Sequence, residues 1–394
     1  MKHPNAATLN FIATHREENP TKLAFQAGKP TDVDLTFAIQ QIAARQAMHD
    51  KLPTWAATDG LLYPPHISLE QCSSEWTARY KASLVRGTTL LDLTGGFGID
   101  CAFLSASFAQ TTYVEQQQHL CAIATHNFAK LGLTSITVSP GDAVEHLSAS
   151  PVVDTIYLDP ARRSEKGAKC VAISDCTPDI SQLAPLLLQK ARSVLVKLSP
   201  MLDATLALRE LQHVAAVHIV STANECKELL LLFQRDAEMP PTFYAVNKPT
   251  VGAVQRFSFT LEQEQAAVCS YTAQPARYLY EPNASLLKAG CFKLLATRFA
   301  MQKLHPNTHL YTSDTYCKDF PGRHFEVLQV SSFNKKELKQ HLREISQANL
   351  TVRNFPSSVQ ELRKRLHLKE GGSHYLFATT LNDERKVLLT CRKA

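Results

Sequence analysis

Residues 90–100, LLDLTGGFGID, indicate the fold of this chain more clearly than any other segment. This stretch begins as an apolar run with the length of a buried strand, passes through three glycines and continues into a helical pattern. Glycine lets the backbone approach a ligand closely, and the first turn of a helix presents N–H groups without partners inside the helix. In α/β proteins this combination builds a nucleotide pocket at the carboxyl ends of the strands.

Short apolar runs alternate with helical patterns on both sides of this stretch. The runs that we assign as strands cover residues 88–93, 111–115, 135–139, 153–158 and 193–198. Such alternation predicts an α/β fold with a Rossmann-like, doubly wound, parallel sheet. The carboxyl ends of neighbouring parallel strands then face one crevice, and we expect the functional residues there.

Changes in composition and proline-containing segments divide the sequence into four predicted parts. These are a mostly helical region at residues 1–85, a nucleotide-binding domain at 86–238, a linker with a small module at 239–320, and a basic module at 321–394. Short strands flank helices in the last two parts, which predicts a small α+β region there. Within the four parts we predict one helix from Leu69 to Val85 and another near Ala284–Phe299, because their apolar residues recur at helical spacing.

The charge of the chain is unevenly distributed. The 394 residues carry a net charge of +6, with 44% hydrophobic and 20% charged residues, as in a soluble globular protein. From Ser331 to Ala394 there are 13 Lys and Arg against 6 Asp and Glu, whereas from Met1 to Val85 there are 8 of each. Either nucleic-acid binding or a solvated helix surface would explain the C-terminal excess.

Targeting segments and metal motifs are missing from the sequence. The N-terminal stretch MKHPNAATLNFIATHREENP has no apolar core typical of a secretory signal, and no apolar run has the length of a membrane span. The ten cysteines include no C-x-x-C pair, which argues against a zinc site and a disulfide framework. We therefore expect a cytoplasmic protein with no membrane partner and no bound metal.

The glycine loop is compatible with two kinds of nucleotide cofactor. A dinucleotide fingerprint reads G-x-G-x-x-G, and this loop supplies only its first half, because Cys101 and Ala102 stand where the last glycine would fall. The loop that binds S-adenosylmethionine (SAM) has an acidic residue at the end of the strand and glycines soon afterwards. The residues that fit this second pattern are Asp92, Thr94, Gly95, Gly96 and Gly98.

Acidic residues follow the next three strands as well. Glu115 ends the second strand, where a carboxylate would accept both ribose hydroxyls, a role shared with NAD-binding folds. Asp142, followed by Ala143, would accept from the adenine amino group, cap the next helix, or do both. Asp159 ends the fourth strand ahead of Pro160. This set of acids at one sheet edge favours SAM, with a nicotinamide cofactor as the alternative.

Residues 88–233 resemble a class I SAM-dependent methyltransferase. The stretch from Asp92 to Gly98 matches its first motif, Glu115 its second, Asp142 its third and Asp159 with Pro160 its fourth. Four segments are also similar to a bacterial group of methyltransferases that carry a ferredoxin-like insert and a C-terminal THUMP-like domain. These segments are EQCSSE (70–75), DPARR (159–163), YLYEPN (278–283) and VRNFP (352–356).

The resemblance implies a cofactor, a substrate and further site residues. It implies SAM as the cofactor and RNA as the substrate, with tRNA favoured, because THUMP domains in other methyltransferases bind tRNA. It also implies that Gln71 and Ser74 fold over the methionine end of SAM. Enzymes that methylate amines usually carry Asn/Asp-Pro-Pro followed by an aromatic residue, and Ala161 and Arg162 replace the last two here. This departure weighs against an exocyclic amine as the methyl acceptor.

Methyl transfer needs an aligned acceptor atom and a group that takes its proton. Asp159 is our candidate to orient or deprotonate the nucleophile, the other role for such a carboxylate being to cap the turn. Arg162 and Arg163 are candidates to bind a phosphate beside the target nucleotide, or they lie in solvent. Lys197 ends the fifth strand, where it would contact substrate or pair with Asp159 and lower the pKa of that carboxyl.

Two basic segments mark the C-terminal part. Arg353 lies two residues before Phe355, and Arg363, Lys364 and Arg365 share a predicted helix. Basic side chains near an aromatic ring suit the backbone and bases of RNA. The leading hypothesis is an RNA methyltransferase. The alternatives are a catalytically inactive RNA-binding protein with this fold, and a methyltransferase that acts on a protein or a small molecule.

Overall fold

The computed structural model describes residues 4–25, 32–162, 173–237 and 239–394, without the side chains of residues 66, 67, 162 and 174. The chain forms two compact units. Unit 1 contains Met1–Ala215 and Leu230–Met239, and unit 2 contains Ala216–Leu229 and Pro240–Ala394. Among the described helices of both units, none is long and apolar enough to cross a membrane.

Unit 1 begins with a helical region, as predicted. Its helices are α1 Ala6–Thr14, α2 Pro20–Phe25, α3 Leu35–Met48, α4 Pro53–Ala57, α5 His66–Gln71 and α6 Glu75–Ala82. The single helix predicted from Leu69 to Val85 is wrong, because Ser74 begins a new one. Its hydroxyl accepts a 3.2 Å hydrogen bond from the N–H of Thr77 and so caps α6.

A parallel sheet follows the helical region. The strands of this part of the chain are β1 Thr89–Asp92, β2 Gln110–Glu115, β3 Ile136–Pro140, β4 Val153–Leu158, β5 Ala161–Arg162, β6 Cys176–Thr177 and β7 Ala191–Leu198. Five of them lie in the order β7-β4-β1-β2-β3, and all neighbouring pairs are parallel. The short strands β5 and β6 form a separate ribbon. The Rossmann-like, doubly wound sheet is thus confirmed.

Helices connect these strands and cover the sheet. They are α7 Ile99–Leu104, α8 Gln118–Lys130, α9 Ala143–Ala149, α10 Ile180–Lys190 and α11 Ala204–Glu210. The end of β4 is apolar and buried at every position from Ile156 to Leu158, as expected for a strand covered on both faces. The rings of Trp55 and Phe97 pack 5.1 Å apart in the core, which joins the N-terminal helices to the glycine loop.

Unit 2 contains a small group of strands, two of which (β8 and β9) have a few of their residues in unit 1, and a second sheet. The chain passes through β8 Val214–Thr222 and β9 Glu225–Gln234, and β10 Thr242–Lys248 pairs with β8 in parallel while β11 Gln255–Phe259 pairs with β10 antiparallel. The second sheet is built from β12 Tyr278–Pro282, β13 Gln302–His305, β14 Thr308–Ser313, β15 Gly322–Ser332, β16 Asn349–Arg353, β17 Tyr375–Thr380 and β18 Lys386–Lys393. Their order is β13-β14-β12-β15-β18-β17-β16.

The helices of unit 2 complete the α+β part that we predicted. They are α12 Leu261–Ala266, α13 Ala284–Ala289, α14 Phe292–Arg298, α15 Lys335–His341 and α16 Val359–Leu366. The single helix predicted near Ala284–Phe299 is wrong. Gly290 ends α13 with a φ of 76°, a left-handed conformation typical of a helix C-terminus, and α14 starts anew two residues later.

Candidate active site

The glycine loop follows β1 and is held against β2. The N–H of Gly95 donates to the carbonyl oxygen of Val114 at 2.9 Å, and the N–H of Gly98 donates to that of Gly95 at 2.8 Å. The ring of Tyr113 lies against Gly95, where a Cβ would come within 2.1 Å of it. Only glycine fits at this position, so the backbone of the loop lies directly on the strand beneath it.

Gly96 presents an open side. Its φ is 53°, and among the described residues a Cβ there would have only the carbonyl oxygen of Thr94 within 4 Å, at 3.9 Å. Its N–H donates to Oε2 of Glu115 at 2.9 Å, and its carbonyl accepts from the hydroxyl of Tyr113 at 2.5 Å. The loop therefore has one face fixed by β2 and one face with room for a ligand.

Glu115 is a buried carboxylate at the end of β2. Its second oxygen, Oε1, accepts from the N–H of Gln117 at 2.9 Å. Each carboxylate oxygen thus holds one backbone N–H and keeps a further lone pair. Two ribose hydroxyls could be accepted by those lone pairs, so the geometry is compatible with the predicted role.

Asp92 ends β1 with one oxygen in use and one without a partner. Oδ1 accepts from the N–H of Thr94 at 3.1 Å, while Oδ2 is buried and has no hydrogen-bond partner among the described residues. Burial raises the pKa of Asp92 well above its usual range, against the effect of the Thr94 hydrogen bond. A cationic donor placed beside Oδ2 would satisfy it.

Asp142 follows β3 and caps α9. Its Oδ1 accepts from the N–H groups of Val144 and Glu145, at 2.8 and 3.1 Å. The side chain is exposed, and Ala143, the first residue of α9, is half-buried. The capping role that we gave as one possibility is therefore present, and the adenine contact stays a prediction.

Asp159 follows β4 and contacts both the glycine loop and β7. Its N–H donates to Oγ1 of Thr94 at 2.6 Å, and its Oδ2 accepts from Nζ of Lys197 at 2.5 Å. The predicted pairing with Lys197 is present. Burial raises the pKa of the Asp159 carboxyl and outweighs the lowering effect of the Lys197 ammonium, so the net lowering that we expected from this pairing is wrong.

The ends of three neighbouring strands therefore meet at one loop. Thr94 bonds to Asp159 on one side, and Gly96 bonds to Glu115 on the other, with Asp92 at the base of the loop. The strand order β4-β1-β2 produces this convergence, because parallel neighbours end at the same edge of the sheet.

A buried charged cluster beside Asp159 was missed at the level of sequence. Asp100, in the first turn of α7, accepts from the hydroxyls of Ser73 and Tyr157, at 2.8 and 2.7 Å. Its Oδ1 lies 3.1 Å from Nζ of Lys81, and its Oδ2 lies 3.8 Å from Nζ of Lys197. The site thus contains two lysines and two aspartates in contact.

The ionisation of Asp100 follows from these contacts. Burial acts to raise the pKa of its carboxyl, but the ammonium groups of Lys81 and Lys197 lower it, and the net shift is downward. An acidic residue two positions after Gly98 was the only sequence signal for this cluster. No sequence signal marked Lys81 as part of the cluster, since a lysine in an amphipathic helix normally faces solvent.

The residues placed by resemblance lie near this cluster. Gln71 ends α5 and is exposed, and Ser74 is occupied as the cap of α6. Ser73, between them, is the residue of this segment that contacts Asp100. Contacts of Gln71 and Ser74 with SAM stay predictions.

The loop after β4 is only partly described. The backbone of Arg162 pairs with Cys176 in the β5–β6 ribbon. The side chain of Arg162 and the whole of Arg163 lie outside the described residues. Phosphate binding by the two arginines therefore stays a prediction.

The basic helix of unit 2 places its three cations in different surroundings. Arg363 is half-buried, and its Nη1 donates to the carbonyl of Ala348 at 3.3 Å. The guanidinium of Arg365 lies 5.8 Å from the ring centroid of Phe333, while Lys364 is exposed. A shallow depression beside this turn is lined by Gln360, Arg363, Lys364, His367, Leu368 and Lys369.

The YLYEPN and VRNFP segments meet through a buried glutamate. Glu281 accepts from Nη2 of Arg353 at 2.7 Å and from Nε of Arg323 at 2.6 Å. The ring of Phe355 packs 4.6 Å from that of Phe333. Arg353 and Phe355, which we considered for RNA binding, are thus engaged in the packing of unit 2, and the exposed lysines of the depression, Lys364 and Lys369, are the stronger candidates.

The crevice of unit 1 fits SAM on three counts. The open side of Gly96 leaves space beside the loop, Glu115 retains acceptor capacity for hydroxyl groups, and the unpartnered Oδ2 of Asp92 suits a cationic amino group. The pattern of a parallel sheet, a glycine loop and an acid at the end of each of the strands β1 to β4 defines the class as a Rossmann-like, SAM-dependent methyltransferase.

Comparison with known proteins gives the same class. A solved structure of a "putative methyltransferase" from Porphyromonas gingivalis W83 is 38% identical, with 98% of each chain covered and a TM-score of 0.89. Two uncharacterized SAM-dependent methyltransferases from Mycobacterium tuberculosis, strains CDC 1551 / Oshkosh and ATCC 25618 / H37Rv, are 25% identical over 311 residues, which is 77% of this chain and 80% of each relative. The chain belongs to this family of SAM-dependent methyltransferases and is an enzyme that uses SAM.

The C-terminal part matches two family models. A ferredoxin-like domain model matches residues 278–321, and a THUMP domain-like model matches residues 322–393. The two matched segments share the seven-stranded sheet of unit 2. The division of the chain at residues 85, 238 and 320 stays a prediction.

Proposed function

We propose that this methyltransferase acts on RNA, with tRNA as the favoured class, and methylates a nucleotide bound above the Asp159-Pro160 loop. The observation that carries the proposal is the THUMP domain-like match over residues 322–393 in the same chain as a SAM-dependent methyltransferase. The exposed lysines Lys364 and Lys369 beside the α16 depression support it, because ammonium groups on an open surface suit a phosphate backbone.

We assign the cofactor to the loop after β1. Asp92 would hold the amino group of SAM, the glycines from Gly95 to Gly98 would pass beneath it, and Glu115 would accept the ribose hydroxyls. Asp142 with Ala143 would border the adenine, and Gln71 with Ser74 the methionine end. When bound, SAM supplies a methyl group on a sulfonium, so that the methyl–sulfur bond breaks with its electron pair left on sulfur.

The residues of the chain orient the acceptor and take its proton. Asp159 would accept the proton that the acceptor atom loses as it forms its bond to the methyl carbon. A raised pKa brings this carboxyl closer to neutral pH and makes it a better base than an ordinary aspartate. Lys197 orients the carboxylate, and Arg162 would hold the phosphate next to the target nucleotide.

The test is methyl transfer from labelled SAM into RNA taken from cells that lack this protein. We expect label in the RNA, with most of it in the tRNA fraction, and a loss of at least about 100-fold with Asp159→Asn. Label confined to a protein or small-molecule fraction would favour the corresponding substrate. RNA that binds but takes no label from the wild-type enzyme would favour the inactive RNA-binding alternative.

A further inference from the structure

A row of alternating charges leads inward from Asp159. Nζ of Lys197 lies 2.5 Å from Oδ2 of Asp159 and 3.8 Å from Oδ2 of Asp100, whose Oδ1 lies 3.1 Å from Nζ of Lys81. The exposed fraction of the side chains falls from 36% at Asp159 to 11% at Lys197 and Asp100 and 0% at Lys81. The partially accessible carboxylate is thus connected to a fully buried ammonium.

Asp100 is the junction of this row. Besides the two lysines, it has hydrogen bonds from the hydroxyls of Ser73 and Tyr157. Donors from α6, β4 and the segment before α6 therefore fix its orientation. A buried ion pair contributes little net stability compared with apolar residues of the same size. Stability alone therefore does not explain why Lys197, Asp100 and Lys81 are buried beside Asp159 at this edge of the sheet.

We propose that Asp100 and Lys81 are positioning residues for methyl transfer, which hold the Lys197 ammonium where it orients Asp159 as the proton acceptor. The task of Asp159 rests on the proposed function. The electrostatic coupling between the four groups is independent of the substrate. Asp100 gives Lys197 a second anionic contact, and Lys81 balances the charge of Asp100 from the buried side.

The two positioning residues act on Asp159 with opposite signs. Burial is the main cause of the raised pKa of Asp159, the negative charge of Asp100 adds to it, and the positive charge of Lys81 opposes it. The ionisable side chains that act on Asp159 from adjacent elements include Lys197 of β7, Asp100 of α7, Lys81 of α6 and Asp92 of β1. Neutralising Asp100 should lower the pKa of Asp159, and neutralising Lys81 should raise it.

The test is a carbon-13 NMR titration of the aspartate carboxyl groups in the full-length protein, with the Asp159 signal assigned from Asp159→Asn. We expect the midpoint of Asp159 to move down by about half a pH unit or more in Asp100→Asn, and up by a similar amount in Lys81→Met. Methyl transfer should fall about 10- to 100-fold in both variants, with the affinity for S-adenosylhomocysteine changed less than about twofold.

Matched controls make the same substitutions at the far edge of the sheet. Asp154→Asn removes a carboxylate that accepts from the N–H groups of Thr88 and Thr89, and Lys190→Met removes an ammonium bound to backbone carbonyls. Neither should move the Asp159 midpoint.

The sign of the shift decides the outcome. Midpoints that do not move, or that move in the same direction in both variants, would overturn the proposal. If Asp100→Asn does not fold, the Lys81→Met shift decides alone, an upward shift supporting the proposal and no shift overturning it. The titration needs no RNA, so a wild-type enzyme that leaves RNA unlabelled would contradict the proposed function and leave this result standing.

Discussion

The N–H of Gly96 donates a 2.9 Å hydrogen bond to Oε2 of Glu115. The glycine loop after β1 is thereby fixed to the end of β2, and the carboxylate that we assign to the ribose is oriented by the same loop that would pass beneath the cofactor. The geometry of the pocket therefore exists before any ligand enters it, and loss of the carboxylate should affect the pocket in a measurable way.

Glu115→Gln should weaken cofactor binding. The amide offers one oxygen where the carboxylate serves the N–H groups of both Gly96 and Gln117, and its NH₂ group would face a donor. We expect the affinity for S-adenosylhomocysteine, measured by calorimetry, to fall roughly 10- to 100-fold. The control is Glu145→Gln, at an exposed position of α9. An unchanged affinity in Glu115→Gln would exclude Glu115 from the cofactor site.

Alanine substitutions at two adjacent glycines should distinguish an effect on folding from an effect on cofactor binding. In Gly95→Ala the new Cβ would overlap the Tyr113 ring, and we expect a loss of about 1–3 kcal/mol or more in the free energy of unfolding. In Gly96→Ala the space is open and only the left-handed backbone is strained, which costs about 1–2 kcal/mol.

The decisive comparison is ligand affinity in the folded variants. The methyl group of Gly96→Ala would occupy the open side of the loop, so we expect weaker binding of S-adenosylhomocysteine than thermal unfolding alone would explain. Normal affinity in Gly96→Ala would place the cofactor elsewhere.

Asp92→Asn should weaken cofactor binding and increase the stability of the fold. Burial raises the pKa of Asp92 above its usual 3.8, so the folded protein retains a proton that the unfolded chain releases. The stability that this group contributes is fully present below about pH 3.8 and is lost as the pH rises through the raised pKa. An asparagine is neutral at every pH, and we expect a melting temperature above that of the wild type, by a margin that grows as the pH rises through that range.

Asp154→Asn is the matched control with the opposite sign. Hydrogen bonds from the N–H groups of Thr89 and Thr88 lower the pKa of Asp154, so its contribution is present above the unfolded value of 3.8 and is lost as the pH falls through the lowered one. We expect this variant to melt below the wild type at neutral pH, with the gap closing in acid. Parallel pH profiles for the two variants would contradict the assignment of Asp92 as an uncompensated buried acid.

Lys364→Gln and Lys369→Gln should weaken RNA binding in a salt-dependent way. Each exposed ammonium that contacts a phosphate contributes about 0.7–0.9 to the slope of log affinity against log salt. We expect each variant to reduce that slope by such an amount, measured by fluorescence anisotropy with tRNA. Lys22→Gln, an exposed lysine of α2, serves as the control.

Arg363→Gln tests the same surface, but it should affect both RNA binding and the stability of the fold. Arg363 donates to the carbonyl of Ala348, so its loss should also lower the melting temperature. If the slope is unchanged in Lys364→Gln and Lys369→Gln, the basic helix is a solvated surface and a substrate other than RNA is favoured.

Much of the central sheet could be predicted from the chain because its elements are locally encoded. The β4 strand, Val153–Leu158, was placed without error, since an apolar run bounded by a proline and an aspartate has few other conformations. The helix expected from Leu69 to Val85 failed because the Ser74 cap is a local hydrogen bond that competes with a continuous apolar period. The glycine at position 290 interrupted the second helix for a similar local reason.

The succession of strands, the glycine loop and the acids at the strand ends could be identified from the amino-acid sequence, because each of these features is encoded by a short run of neighbouring residues. The burial of Lys81 and Asp100 together, beside Lys197 and Asp159, could not be identified in this way and is seen only in the folded protein. The physical reason is that a charged residue in a short helix has the same local pattern whether it faces solvent or a partner. Its surroundings depend on which side of α6 packs against α7, and that is settled by contacts between distant parts of the chain.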